Sequence, residues 1–252
     1  MNRVVTLLLI IALVPVGAAA CGSGPEPATT PGTAPATVGT TATQDGGLGL
    51  LPAPWQDGET ADYDVLSASG NKIGTSQIAI AAQGDAWAVF ESDKIVDLDQ
   101  SWTIRIDAKT LRPLGQEKTI HTSATDATIS TTYDGGKLSI KAVVKGEQRS
   151  ASLDVPSNSI DNDQLLVTLR ALPFAEGYEA KYTTVVAQNA LKVGTTVRVK
   201  ARETVSVPAG SFETWRVELD FGQGKQQAWY SVAAPHRLVQ YDNGATRMVL
   251  TK

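Results

Sequence analysis

The sequence predicts an all-β, or at least strongly β-dominated, domain with one short helix. Three observations carry that prediction. Segments such as Trp102, Ile104 and Ile106 against Thr103, Arg105 and Asp107 alternate apolar with polar residues, the period of an antiparallel strand with one wet face. Turn residues punctuate these segments, among them Asp134-Gly135-Gly136, Gly222-Gln223-Gly224 and Asn243-Gly244. Clear helical spacing occurs in one short stretch, and one helix among about a dozen strands defines the class.

Two segments precede that domain. Met1, Asn2 and Arg3 supply one positive charge, and Val4 to Ala20 is apolar apart from Thr6, Pro15 and Gly17, the n-region and h-region of a secretory signal. The run is short for a spanning helix, and nothing charged stops it. Ala18, Ala19 and Ala20 lead directly to Cys21, the single cysteine of the chain. Small residues before a cysteine resemble the lipobox, where the thiol receives a diacylglyceryl group carrying acyl chains such as palmitate and cleavage leaves the cysteine first. Ala18 stands where that motif usually has leucine or valine. A lone thiol in an exported chain has no internal disulfide partner, and lipidation gives it a use. Each buried methylene contributes about 0.8 kcal/mol, so two or three acyl chains hold firmly. Residues 1–20 are therefore read as a lipoprotein signal peptide and Cys21 as the lipid attachment site. The mature protein is expected at the cell membrane or outer membrane, anchored on the extracytoplasmic face.

From Cys21 to residue 54 the chain is almost only Gly, Ser, Pro, Ala, Thr and Val, with Glu26 and Asp45 as charges. With no hydrophobic periodicity to bury, 21–54 reads as a disordered tether spanning about 30 Å by random-coil scaling. Loss of Arg3 with the leader takes the formal net charge from −4 to about −5. A mildly acidic chain without a Lys/Arg cluster argues against nucleic acid and against a polybasic grip on anionic lipid. Residues 55–252 are long enough for one domain with a sizeable core.

Along that domain, strands are expected at 61–68, 72–82, 86–92, 102–107, 125–133, 138–145 and 150–155, then at 179–187, 195–207, 211–221, 226–232, 238–242 and 247–251. In 138–145 Leu138, Ile140, Ala142 and Val144 alternate with Ser139, Lys141 and Lys145. Between the two groups, Leu165, Leu166, Leu169 and Leu172 fall at three-to-four spacing, with Asp161 and Asp163 suited to the helix start and Pro173 to its stop. In VPAGSFETWRVEL, Pro208 and Gly210 suit a type I hairpin with a left-handed residue. Beyond the turn Phe212, Thr214 and Arg216 share one face, and Trp215, Val217 and Leu219 share the other, the core face.

That hairpin, the Trp229-Tyr230-Ser231 strand, the turn at Pro235 and the strand RLVQYD resemble an uncharacterised exported bacterial domain-of-unknown-function family whose members carry a vPAGtF turn followed by a vWys strand. DGETADYDV with Gly74, and the stretch from Ile106-Asp107 to Pro113, resemble the same family's opening motifs, and the 165–172 helix sits where that family has one. The resemblance implies a curved antiparallel sheet or incomplete β-barrel, with a distant architectural likeness to Lol-type lipoprotein carriers. It brings no catalytic residues.

Chemistry is sparse. Nucleophilic catalysis needs a base near a serine or cysteine, yet Cys21 is taken by the anchor and only His121 and His236 are present. His121 lies in a polar Thr/Ser stretch and His236 in a turn. No G-x-S-x-G elbow and no zinc-ligand spacing accompanies them. Asp97 and Asp99, near Asp93, would share a strand face and suit calcium or an acid/base pair, but a solvated face explains them as well. Asp161-Asn162-Asp163-Gln164 lacks the glycine and terminal glutamate of a calcium loop. No catalytic residue, metal or cofactor is assigned, and the chain is read as non-enzymatic. Trp87, Trp102, Trp215 and Trp229 all fall in strands, where they serve as ordinary core or line a cavity for a lipid or other apolar ligand. Binding of an apolar ligand or lipid at the cell envelope is the first functional reading; a structural or protein-interaction module of the envelope is the second.

Overall fold

Strand pairing in the computed structural model, which describes residues 47–252, follows the chain as two meanders that meet at the termini. The first half supplies β1 (Glu59–Ser67), β2 (Lys72–Gln83), β3 (Ala86–Ile95), β4 (Leu98–Asp107), β5 (Pro113–His121), β6 (Asp126–Asp134), β7 (Lys137–Val144) and β8 (Glu147–Asp154). After the short β9 (Ser159–Asp161) and a helical segment, the second half supplies β10 (Glu179–Val186), β11 (Leu191–Val207), β12 (Gly210–Asp220), β13 (Lys225–Ser231), β14 (Leu238–Asp242) and β15 (Thr246–Leu250). β15 pairs with β1, so the sheet of 15 strands runs from β8 back to β1 and on from β15 back to β9. Its two ends therefore lie mid-chain, on either side of the helical segment. Neighbouring strands are antiparallel except β9 and β10, which are parallel.

The sheet curls strongly. Ile129, Leu138 and Ile140 of β6 and β7 pack in one cluster with Val185 of β10 and the adjacent Ala187, and strands so distant in sheet order meet only if the sheet bends round. Register shifts at Val65/Leu66, Arg105/Ile106, Val199/Ala201 and Trp229/Tyr230 are the bulges that permit this. Two glycines allow close strand approach: a Cβ at Gly74 would lie 2.2 Å from the Lys94 carbonyl oxygen, and one at Gly115 would lie 2.6 Å from that of Thr131. The incomplete barrel implied by the family resemblance is thus the observed architecture.

Inside the curl sits the helical segment. A single turn, α1 (Leu165–Thr168), is flanked by the 3-10 turns Asn162–Gln164 and Leu169–Ala171. Asp161 caps the first 3-10 turn, at the start of the helical segment as expected, accepting from the Asp163 amide at 2.9 Å. Leu165, Val167, Leu169 and Leu172 are buried in the main core, and the Tyr230 hydroxyl donates to the Leu166 carbonyl at 2.9 Å. The VPAG turn also forms as read, with Gly210 at φ 134° and Trp215, Val217 and Leu219 buried.

Three expectations change. The strand Pro113–His121 was absent from the sequence reading, because its inward positions Gln116 and Lys118 are polar and buried, which erases the alternation. Ser159–Asp161, read as lead-in to the helix, adds as a strand to β10. The folded part begins before residue 55: Leu48 is buried, the Leu51 amide donates to the Ala171 carbonyl at 2.8 Å, and the Tyr178 hydroxyl donates to the Leu48 carbonyl. Leu48, Leu50 and Leu51 give this stretch apolar surface that the Thr/Pro-rich part of the tether lacks. The signal peptide, Cys21 and residues 22–46 lie outside the described residues.

Candidate functional site

Strand alternation decides what faces the interior of the curl. On β3 the inward phase reads Trp87, Val89, Glu91, Asp93, Ile95; on β4 it reads Gln100, Trp102, Ile104; on β5, Gln116 and Lys118. Register places Glu91 opposite Trp102, Trp102 opposite Lys118, and Asp93 opposite Gln100. A cavity of about 80 Å³ lies between this row and α1, lined by the apolar Val65, Ile95, Leu165, Leu166 and Met248, by Tyr241, and by the polar Glu91, Asp93, Gln100, Lys118 and Asp163.

The polar side chains form a connected network. Gln100 Nε2 donates to Asp93 Oδ2 at 2.8 Å, and Ser76 Oγ reaches Glu91 Oε1 at 3.4 Å. Lys118 Nζ lies 2.9 Å from Asp163 Oδ2 and 4.4 Å from the centre of the Trp102 ring. Gln116 Nε2 also donates to Asp163 Oδ2 at 2.5 Å, while Trp102 Nε1 donates to the Asp163 carbonyl at 3.1 Å. Next to it the Tyr133 hydroxyl donates to Asp161. Asp163 thus fastens the start of the helical segment to β4 and β5.

Burial dominates the electrostatics. The Glu91 carboxyl is pushed well above the ordinary carboxylate range by burial, with Asp93 and Asp163 adding repulsion. Burial likewise raises Asp93 against the hydrogen bonds from Ser76 and Gln100. Asp161 is raised to about 7, first by burial and then by Asp163, despite accepting from Tyr133. Such an arrangement accepts hydrogen bonds and favours incoming positive charge; Lys118 is the cation facing it among the residues that line the cavity.

The four tryptophans do not converge. Trp102 lines the cavity. Trp87 is half-buried with its ring edge-on to Trp55 at 6.2 Å. Trp215 is buried, stacked on Phe174 at 6.3 Å and covered by the Arg202 guanidinium at 4.2 Å. Trp229 is out of phase with the buried Ala228 and Tyr230, sits across from Arg216, and donates its indole N–H to the Glu203 carboxylate.

The acidic and histidine candidates also separate. Asp97 occupies the β3–β4 turn at φ 60° and accepts from the Ser123 amide at 3.0 Å, whereas Asp99 is exposed. Asp93 instead joins Glu91, which the sequence reading passed over. Its signal was present: Glu91 and Asp93 continue the inward phase set by Trp87 and Val89. His121 is exposed with Nδ1 2.8 Å from Asp126, and His236 places Nδ1 2.9 Å from the Ser231 carbonyl; neither lines the cavity. Among the described residues no group of three or more His, Cys, Asp or Glu is arranged to hold a metal ion.

Comparison with known proteins adds a family and a set of similar folds. The family model described as a protein of unknown function, DUF3108, matches residues 60–251, and no curated protein matches. A β-barrel-like protein of the unknown-function family DUF1849 from Brucella abortus is 14% identical, with 77% of this chain and 95% of that chain covered, at a TM-score of 0.49. A Bacteroides fragilis protein described as exported, with a YmcC-like fold, is 11% identical over 81% and 97% at a TM-score of 0.29. A candidate lipoprotein of Parabacteroides distasonis is 11% identical over 80% and 96% at a TM-score of 0.31.

Proposed function

The chain belongs to the DUF3108 family of proteins of unknown function, and on that premise we propose that it is a lipid-anchored envelope protein that binds, without catalysis, an apolar or amphiphilic ligand inside its curled sheet. The anchor rests on Ala18-Ala19-Ala20-Cys21 behind an apolar leader. Among the described residues no helix is long and apolar enough to cross a membrane.

The observation that carries the binding reading is the cavity beneath α1, lined by both apolar and polar side chains. That combination orients a ligand by its polar end while burying the rest. At about 80 Å³ the space is smaller than the roughly 300–1,000 Å³ of a pocket for a drug-sized ligand. It accommodates a few heavy atoms, the end of a longer molecule, and a whole acyl chain fits only if α1 moves.

A second reading, a protein-interaction module, is favoured by β8. Seven of its eight residues are exposed and it ends the sheet, so its outer backbone edge is available for pairing with another strand. Native mass spectrometry of the protein extracted from its own membranes separates the two. The binding reading expects a non-covalent small molecule, lost in Leu165→Trp, which fills the cavity. A ligand-free wild type that cross-links to a protein through β8 would replace it with the second reading.

A further inference from the structure

We propose that the polar side chains of this cavity recognise a protonated amine, so that the ligand is a small aliphatic ammonium or the amine-bearing end of an amphiphile. The proposal rests on reading the cavity as the ligand seat and names the chemistry of that seat.

Charge is the first reason. Glu91, Asp93 and Asp163 face the cavity against Lys118, and Lys118 is already held by Asp163 at 2.9 Å. An anionic ligand would meet carboxyl groups, whereas an ammonium supplies the missing positive charge.

The second reason is a lightly engaged acceptor. Glu91 is 7% exposed and lines the cavity, yet its side chain meets one donor among the described residues, Ser76 Oγ at the long distance of 3.4 Å. That leaves the carboxyl with acceptor capacity at the cavity wall, and an ammonium carries three donors on one atom. Asp93, two residues along on the same inward face, supplies a second acceptor.

Apolar walls complete the fit. Val65, Leu165 and Met248 border the same space, so a short alkyl stem is sheltered while its nitrogen reaches the carboxyls. A neutral apolar ligand would fill the volume and add no donor to Glu91 beyond Ser76. Burial raises the Glu91 carboxyl well above the ordinary carboxylate range, and an ammonium beside it favours the ionised form.

The test uses the full lipidated protein in nanodiscs, titrated at pH 7 by calorimetry with n-butylamine, n-butanol and butyrate, with empty nanodiscs as the blank. Butylammonium should bind at least tenfold more tightly than butanol, and butyrate should not bind. Glu91→Gln should weaken butylammonium at least tenfold and leave butanol unchanged, and Leu165→Trp should abolish both. Circular dichroism and Tm confirm folding of each variant, and Asp93→Asn provides an independent second removal of charge. Equal binding of amine and alcohol would overturn amine recognition while leaving the seat in place. Binding of none of the probes would remove both, and amine binding insensitive to all three substitutions would reveal attachment elsewhere and overturn the proposal.

Discussion

The two halves of the curled sheet use the same inward alternation to opposite ends. On β11 to β14 the buried inward positions are mostly apolar, among them Val197, Val199, Trp215, Val217, Leu219, Ala228, Tyr230 and Tyr241, with Thr195 and Gln226 as polar members. Their polar atoms find partners close by: Tyr230 donates to the Leu166 carbonyl at 2.9 Å and Tyr241 to Gln226 at 2.5 Å. On β3 to β5 the corresponding positions include Glu91, Asp93, Gln100, Gln116 and Lys118, buried to a similar degree. Burial on β11 to β14 is stabilising at roughly 25 cal/mol per Å² of apolar surface. On β3 to β5 it carries a desolvation cost that the network offsets in part. The C-terminal half thus supplies apolar packing and the N-terminal half a buried polar network, with α1 packed between them.

The largest effect that tests this contrast is on the apolar half. Leu219→Ala, at a fully buried position, should lower unfolding free energy by about 2–5 kcal/mol in urea titration. A loss below about 1 kcal/mol would mean that this half is not the source of stability.

On the polar half, the expected signature is a pH dependence. The Asp161 carboxyl is raised from 3.8 to about 7 in the folded protein, so the folded state retains a proton that the unfolded chain has released. Stability should therefore be greatest below the unfolded value and fall as pH rises toward 7, levelling off above it. Asp161→Asn keeps a residue able to cap the helical turn and should flatten that part of the slope in Tm measurements from pH 4 to 8. An unchanged slope would assign the dependence to Glu91 or Asp93.

The smallest effect is expected outside the curl. Trp229→Phe should change stability by less than about 1 kcal/mol, because the indole is half-buried on the face away from the core and its partner Glu203 is an exposed-side carboxylate. A larger loss, seen by the same urea titration, would show that the outer face between β11 and β13 contributes more than its exposure suggests.

Legibility in the sequence follows the same division. Where the inward phase is apolar, as in Trp215, Val217 and Leu219, the strand, its face and its turn were all readable from spacing. Where function-like chemistry replaces apolar residues in that phase, the strand signal fades: Gln116 and Lys118 concealed β5 altogether. Glu91 was overlooked for the same reason, since a charge in a strand is ordinarily placed on the wet face. The aspartates singled out by spacing, Asp97 and Asp99, are a turn residue and an exposed residue, and Asp93 meets Ser76 and Gln100 only through pairing with β2 and β4.

The sequence by itself determined the β class, the short capped helical turn before Pro173, the VPAG hairpin and the expectation of a lipidated Cys21, because each depends on residues close together in the chain. Tertiary structure decided that β15 closes on β1, that the sheet curls around α1, and that Trp102 rather than Trp87, Trp215 or Trp229 borders the cavity. It also brought Asp163 to Lys118, 45 residues away. Local backbone preference cannot encode such meetings; they arise from strand register and from the curvature that bulges and close-approach glycines permit.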